Sequence, residues 1–249
     1  MELNANLISI AAGIFYLIAG YRLLRLSGRT RERPELLLGI YFVFTSQWYL
    51  LYYAPGILGI EGLPPLIGHG TEWIYVVGII PYLLFLRGAF RPKSAWATAL
   101  VIVCTLLLVA GGTASSLGGG NFNSLNDPGY LTEWVGYTVP CFWMCCEGAI
   151  SHAAAKKRVR FGLCDPIVAN RYLLFAGFGF CQVAACAADL SWAYGNSNAG
   201  GASAFADGLL GATEIASVAV LWFAFFPPLV YRRWIADRAA LLSTPAREA

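Results

Sequence analysis

Long apolar runs recur along this chain, and short polar or glycine- and proline-rich segments separate them. An α-helix needs roughly 20 apolar residues to cross about 30 Å of hydrocarbon, and each run is long enough to do so. The pattern therefore predicts an all-α protein in which residues 1–249 form one domain, an integral membrane bundle of seven helices. The predicted spans lie near 7–27, 35–55, 66–90, 96–112, 129–155, 166–194 and 208–233.

Residues that begin helices stand at two of the breaks between these runs. Asp127 followed by Pro128, at the end of the glycine- and asparagine-rich segment 118–128, is typical of an N-cap with proline at the first helical position. Asp207 is expected to cap the seventh helix in the same way.

Composition supports the membrane assignment. The chain has 249 residues, of which 58% are hydrophobic and 12% are charged, whereas soluble domains are about one quarter charged. The N-terminus lacks the positive region of a signal peptide, so the first run is expected to be a retained span. No sizeable soluble domain is expected beside the bundle.

Lysine and arginine occur in alternate loops and after the last run, and the other loops contain neither residue. By the positive-inside rule, this predicts an external N-terminus and a cytoplasmic C-terminus, in the plasma membrane or bacterial inner membrane. The basic residues of these segments are Arg29, Arg31, Arg33, Arg91, Lys93, Lys156, Lys157, Arg158, Arg160, Arg232, Arg233 and Arg238.

A Thr-Glu pair recurs near the start of three runs and places Glu72, Glu133 and Glu214 on helices that all run inward. A carboxylate in hydrocarbon is costly and usually faces the bundle interior or a wet cavity. Three such groups at one depth predict a site for a proton, a metal ion or a ligand cation. Alternatively, each glutamate lies at the membrane interface, where positive helix N-termini favour it.

Further polar and aromatic residues are candidates for the same site. Asp189 is expected near the outer end of helix 6, and Trp73 and Trp134 each follow one of the glutamates. Tryptophan and tyrosine in the outer half suit either an interfacial belt or the wall of a ligand pocket. Gln47 and Gln182 either line a hydrated path or form hydrogen bonds between helices.

Two other groups of residues suggest metal binding or ion pairing. Cys141 and Cys145 share a helix face and suit a soft metal, although membrane cysteines also serve as small apolar packing residues. Glu147 and Arg171 are expected at comparable depth on adjacent helices, which predicts a structural ion pair.

The layout resembles that of microbial rhodopsins. Glu72 and Trp73 correspond to a counter-ion and a ring over retinal on helix 3. Glu214 to Val218 resembles the family's helix 7 acid followed four residues later by the retinal-binding lysine. Val218 stands at the lysine position and helix 7 contains no lysine, so the resemblance implies a relative that forms no Schiff base with retinal.

These patterns favour a receptor-like or ligand-binding membrane protein with an outward-facing aromatic and acidic pocket. The first alternative is a small transporter or a proton or cation pathway through the same carboxylates. The second alternative is a membrane metalloenzyme with carboxylate ligands, but no phosphate loop, dinucleotide fingerprint or nucleophile motif favours an enzyme. Expected partners are membrane lipid, a small apolar or cationic ligand and a protein subunit, and no nucleic acid.

Overall fold

A computed structural model of the chain describes residues 2–60, 65–118, 125–197 and 204–243. Within these ranges the chain forms eight α-helices and no strand. The helices are α1 (Glu2–Thr30), α2 (Arg33–Ile57), α3 (Pro65–Phe90), α4 (Ala95–Leu117), α5 (Tyr130–Arg160), α6 (Pro166–Ser197), α7 (Ala204–Phe225) and α8 (Leu229–Ser243).

Six of these helices, α1 to α4, α6 and α7, are long and apolar enough to cross a membrane. Helix α5 has 31 residues, but it carries Glu133, Glu147 and a basic last turn. The predicted all-α architecture is therefore confirmed, and six of the helices have the length and composition of membrane spans.

The predicted seventh span near 208–233 is too long. Helix α7 ends at Phe225, and a separate helix, α8, begins at Leu229. Pro227 and Pro228 lie between them, and proline supplies no backbone N–H donor and clashes with the preceding helical turn. The apolar run thus continues past the point at which the backbone stops being helical.

The two predicted N-caps have different outcomes. Asp127 Oδ1 accepts hydrogen bonds from the backbone N–H groups of Gly129 at 2.7 Å and Tyr130 at 3.2 Å. The side chain therefore serves the start of α5, although the helix begins at Tyr130 and Pro128 lies outside it. Asp207 lies within α7 rather than ahead of it, so this predicted cap is wrong in position.

Helices α1 to α7 form a closed ring. Each packs against its neighbours in sequence, and α7 also packs against α1. Helix α3 additionally contacts α5, and α8 contacts α5 and α6. This order places α5 beside both α3 and α6, which decides the neighbours of the predicted acidic residues.

Glycine allows unusually close packing between α5 and α6. A Cβ atom added at Gly179 would lie 2.4 Å from the backbone nitrogen of Cys145, and one at Gly148 would lie 2.6 Å from that of Ala176. Small residues at such contacts are typical of helix pairs in membranes, where close backbone approach drives association. The α5–α6 contact is therefore fixed by glycine on both helices.

Aromatic side chains fill the interior of the ring. Tyr16, Tyr41, Tyr82 and Phe178 are fully buried. The rings of Tyr41 and Tyr82 stack with centroids 4.9 Å apart. Several of these rings carry hydroxyl groups, so the core contains hydrogen-bonding groups as well as apolar surface.

Candidate functional site

Glu72 on α3 and Glu133 on α5 face each other where these two helices meet. Their carboxyl groups lie within hydrogen-bonding reach of each other. Glu133 is 8% exposed, and no N–H or O–H donor in the described residues reaches its Oε1 atom. Two carboxyl groups form a hydrogen bond only when one carries a proton, and a bound cation is the other way to hold them together.

Two further carboxyl groups lie beside this pair. Tyr130 connects them, because its hydroxyl donates to Asp189 Oδ2 at 2.8 Å and its backbone N–H donates to Asp127 Oδ1. Asp127 is 7% exposed and also accepts a hydrogen bond from Ser115 Oγ at 2.5 Å. Negative charges on both aspartates would repel a negative charge on Glu133. We call Glu72, Asp127, Glu133 and Asp189 the acidic cluster.

No lysine or arginine in the described part of the chain forms an ion pair with the acidic cluster. The one ion pair in the described part of the chain joins Arg91 to Glu147, and neither residue belongs to the cluster. Outside that part, the segments 61–64, 119–124 and 198–203 contain no lysine or arginine, whereas 244–249 contains Arg247. Asp127 Oδ2 also lacks a donor among the described residues. Protons, or a cation bound among these carboxyl groups, would neutralise them.

Metal binding gains no support from the geometry. No group of three histidine, cysteine, aspartate or glutamate side chains in the described ranges is arranged to hold a metal ion. Cys141 and Cys145, the predicted soft-metal ligands, are both free thiols. Cys141 is completely buried and belongs to the hydrophobic core, which agrees with the packing alternative.

Glu214 lies in a separate environment. It is 3% exposed and accepts hydrogen bonds from Tyr49 Oη at 2.9 Å and Ser9 Oγ at 3.4 Å, which links α7 to α2 and α1. Helix α7 packs against α1 and α6, and its described residues do not pack against α3 or α5. The expected convergence of three glutamates is thus corrected to a pair, with the third in its own hydrogen-bonded pocket.

Gln182 is the centre of a buried polar network. It accepts a hydrogen bond from the Tyr137 hydroxyl and donates to Ser217 Oγ at 2.8 Å. The Tyr137 hydroxyl also lies 3.5 Å from that of Tyr41. The network joins α2, α5, α6 and α7 about one helical turn further along α5 than Glu133 of the acidic cluster. Gln47, the other predicted glutamine, is exposed on α2 and lies outside this network.

Both predicted tryptophans are partly buried near the acidic cluster. Trp134 Nε1 donates to the backbone carbonyl of Cys186 at 3.0 Å, and Trp73 packs against the hydrophobic core. Trp48 contacts the rings of Tyr49 and Tyr75 at 5.0 Å and 5.2 Å. The Trp48 and Tyr75 rings thus pack against each other between α2 and α3, which differs from an interfacial belt that faces only lipid headgroups.

The predicted ion pair between Glu147 and Arg171 requires correction. Glu147 Oε1 accepts a hydrogen bond from Arg91 Nε at 2.7 Å, and this hydrogen bond and charge raise the pKa of the Arg91 guanidinium. Arg171 instead donates to the backbone carbonyl of Ala224 at 3.1 Å. Its guanidinium also lies 5.9 Å from the centre of the Phe225 ring. Each charge is satisfied, but by a different partner.

Several contacts of the site were not predicted from the sequence, which marked Asp127 only as an N-cap and Tyr49 only as one of the aromatic residues. Tyr130 and Asp127 hold the acidic cluster together, and Ser9 and Tyr49 hold Glu214. Hydroxyl groups in apolar helices carry no distinguishing sequence signal, because they serve most often as local hydrogen bonds. Tyr130 had one usable signal, its position three residues before Glu133 on the same helix face.

Comparison with known proteins gives no relative. The chain matches no protein-family model, no curated protein and no solved structure. Function must therefore be argued from the residues and their arrangement alone.

Proposed function

We propose that this protein is a receptor-like membrane protein that binds a small cationic ligand, an organic ammonium ion, at the acidic cluster. One observation carries the proposal: Glu72 and Glu133 face each other beside two further carboxyl groups, and no lysine or arginine in the described part of the chain forms an ion pair with them. Intramembrane acids are costly and are a default indication of function when they lack a partner in the chain. A cation that enters from outside would remove this cost.

Aromatic side chains below the carboxyl pair favour an organic cation. Tyr75 follows Glu72 by three residues and Tyr137 follows Glu133 by four, so each tyrosine lies one turn further along the same helix face. Their rings meet with centroids 5.6 Å apart. Aromatic faces and carboxylates together are the groups that recognise ammonium ligands in proteins.

The cation-binding proposal is tested with tetramethylammonium chloride as the probe and the purified protein in lipid nanodiscs. We expect Glu133→Gln to weaken binding about tenfold in isothermal titration calorimetry, which corresponds to about 1.4 kcal/mol. The amide keeps the shape of the side chain but removes its negative charge. Glu32→Gln is the matched control, because Glu32 is exposed between α1 and α2. Equal affinity for Glu133→Gln and the unsubstituted protein would refute the proposal.

A proton or cation pathway is the second candidate, and the polar network around Gln182 favours it. Tyr137, one turn after Glu133 on α5, donates a hydrogen bond to Gln182. Gln182 in turn donates to Ser217 on α7. Buried hydroxyl and amide groups of this kind can line a hydrated path that leads away from the carboxyl groups. Proton flux into liposomes that Glu133→Gln abolishes, without tetramethylammonium binding by the unsubstituted protein, would favour this candidate over the first.

The proposal includes seven membrane spans, which are the six apolar helices and α5. It also places the N-terminus outside the cell and the protein in the plasma membrane. Support comes from the length of α5 and from the restriction of lysine and arginine to alternate loops. This arrangement, in which α7 closes the ring on α1, is also where the resemblance to microbial rhodopsins lies. Val218 is buried at the position of the family's lysine, so we propose no covalent retinal.

The orientation predicts which side of the membrane reaches each loop. A cysteine introduced by Asn123→Cys should react with a membrane-impermeant maleimide in intact spheroplasts, because the loop between α4 and α5 is external. Cys164, in the loop between α5 and α6, serves as the internal control and should react only after permeabilisation. The opposite labelling pattern would reverse the topology and place the acidic cluster on the cytoplasmic side.

A further inference from the structure

A second site lies at the other end of the bundle, where the last turns of α1 approach the end of α7. A cavity of about 180 Å³ opens there between arginine and apolar side chains. By comparison, one water takes up about 30 Å³ in the liquid, so the cavity has room for a phosphate group with some of its water. The residues that line it are Arg22, Arg25, Leu26, Arg29 and Phe226.

The three arginines share one face of α1, because they are spaced three and four residues apart. No carboxylate in the described residues lies within 4 Å of any of them. No hydrogen bond within the same part of the chain uses their guanidinium groups as donors. Arginine presents planar N–H donors that match phosphate oxygens. The cavity therefore offers unused phosphate-binding groups from successive turns of one helix.

Arg22 is held in place by aromatic rings from α7. Its guanidinium carbon lies 4.9 Å from the centre of the Trp222 ring and 5.2 Å from that of Phe226. Stacking on these faces fixes the side chain but leaves the N–H groups at its edge available to an anion. Arg22 also lies inside the apolar segment Leu7–Thr30, where an exposed cation without a counter-ion is costly.

The exposed surface of α1 is apolar between the cavity and the middle of the helix. Ile14 and Ile18 precede Arg22 at intervals of four residues, so they continue the same face of α1, and both are exposed. Exposed isoleucines beside an arginine-lined cavity match a ligand that has a phosphate headgroup and acyl chains. Free phosphate would use the arginines but not the isoleucines.

We propose that this cavity binds the headgroup phosphate of an anionic phospholipid, with the acyl chains along the Ile14 and Ile18 face. In the orientation proposed above, the site lies in the cytoplasmic leaflet, where anionic lipids attract basic residues. The lipid supplies the counter-charge that the described residues do not provide for the three arginines. This site is independent of the acidic cluster, so its failure and that of cation binding are distinguishable.

The test is native mass spectrometry of the detergent-solubilised full chain with phosphatidylglycerol or phosphatidylcholine added. We expect preferential retention of phosphatidylglycerol, and at least tenfold weaker retention in the double variant Arg25→Gln/Arg29→Gln. The matched control is Arg158→Gln/Arg160→Gln, which removes two exposed positive charges at the end of α5. This control should change phosphatidylglycerol retention by less than twofold.

Three results would overturn the proposal. Equal losses of phosphatidylglycerol retention in the two double variants would indicate that any basic surface of the protein attracts the lipid. Equal retention of phosphatidylglycerol and phosphatidylcholine would show that the headgroup charge is not recognised. Displacement of phosphatidylglycerol by millimolar inorganic phosphate would identify a free-phosphate site. If the glutamine variant does not fold, the proposal is tested on the thermal stability of the unsubstituted protein. Phosphatidylglycerol must then raise the melting temperature more than phosphatidylcholine does, and an equal increase would overturn the proposal.

Discussion

Gly179→Ala is expected to lower the free energy of unfolding by about 3 kcal/mol, the upper end of the usual range for an overpacked core. The new Cβ would lie 2.4 Å from the backbone nitrogen of Cys145 and 2.8 Å from the backbone oxygen of Cys141. These backbone atoms belong to α5 and cannot rotate away as a flexible side chain would. The methyl group must therefore push α5 and α6 apart. Unfolding in mixed micelles, followed by circular dichroism, measures the change.

Gly177→Ala is the matched control on the same helix. Its Cβ would lie 3.6 Å from the Val220 side chain, which is an ordinary van der Waals contact. Alanine is also a better helix former than glycine by about 1 kcal/mol, so this variant should be neutral or slightly more stable. Equal destabilisation by the two substitutions would contradict the close α5–α6 contact described above.

Arg91→Ala is expected to lower the free energy of unfolding, because it leaves the Glu147 carboxylate without its positive partner. The Glu147 side chain is 8% exposed and that of Arg91 is 43% exposed, so water screens the pair from one side only. The expected cost is therefore below that of a fully buried broken pair and above that of a surface pair. Replacement of both residues by alanine should cost less than the sum of the single changes. The free energy of unfolding of each variant gives the coupling.

The same experiment tests the corrected choice of partner. A double-mutant cycle of Arg91→Ala with Glu147→Ala should show changes in the free energy of unfolding that are not additive. A cycle of Arg171→Ala with Glu147→Ala should be additive within about 0.5 kcal/mol, because Arg171 contacts Ala224 and Phe225 instead. Coupling in the second cycle but not in the first would restore the pairing expected from sequence.

The positions of the membrane helices could be predicted because the required length of apolar chain is set by the bilayer. Helix ends were less predictable. The run through Phe226 remains apolar, so hydropathy extends the seventh span past Pro227 and Pro228, whereas backbone chemistry ends the helix before them. The proline signal was present in the sequence, but the apolar pattern on either side outweighed it.

The sequence predicted the importance of the acidic residues but not which of them meet. The Thr-Glu repeat marked Glu72, Glu133 and Glu214 equally, whereas helix order decides the neighbours and places α7 beside α1 and α6. The partner of Glu147 depended on helix rotation. Arg91 lies just after the end of α3 and was counted as a loop charge, while Arg171 had the expected depth on α6 but points to α7.

The contact between α1 and α7 has a consequence for how the protein is made. A ribosome delivers α1 first and α7 only after the six helices that precede it in the chain. Until then Ser9 and Tyr49, the two donors that later hold Glu214, have no carboxylate to bind. The ring must therefore remain open between α1 and α6 during synthesis. When α7 is added, Glu214 meets hydrogen-bond donors that α1 and α2 already carry. Closure and satisfaction of that acid are then a single event.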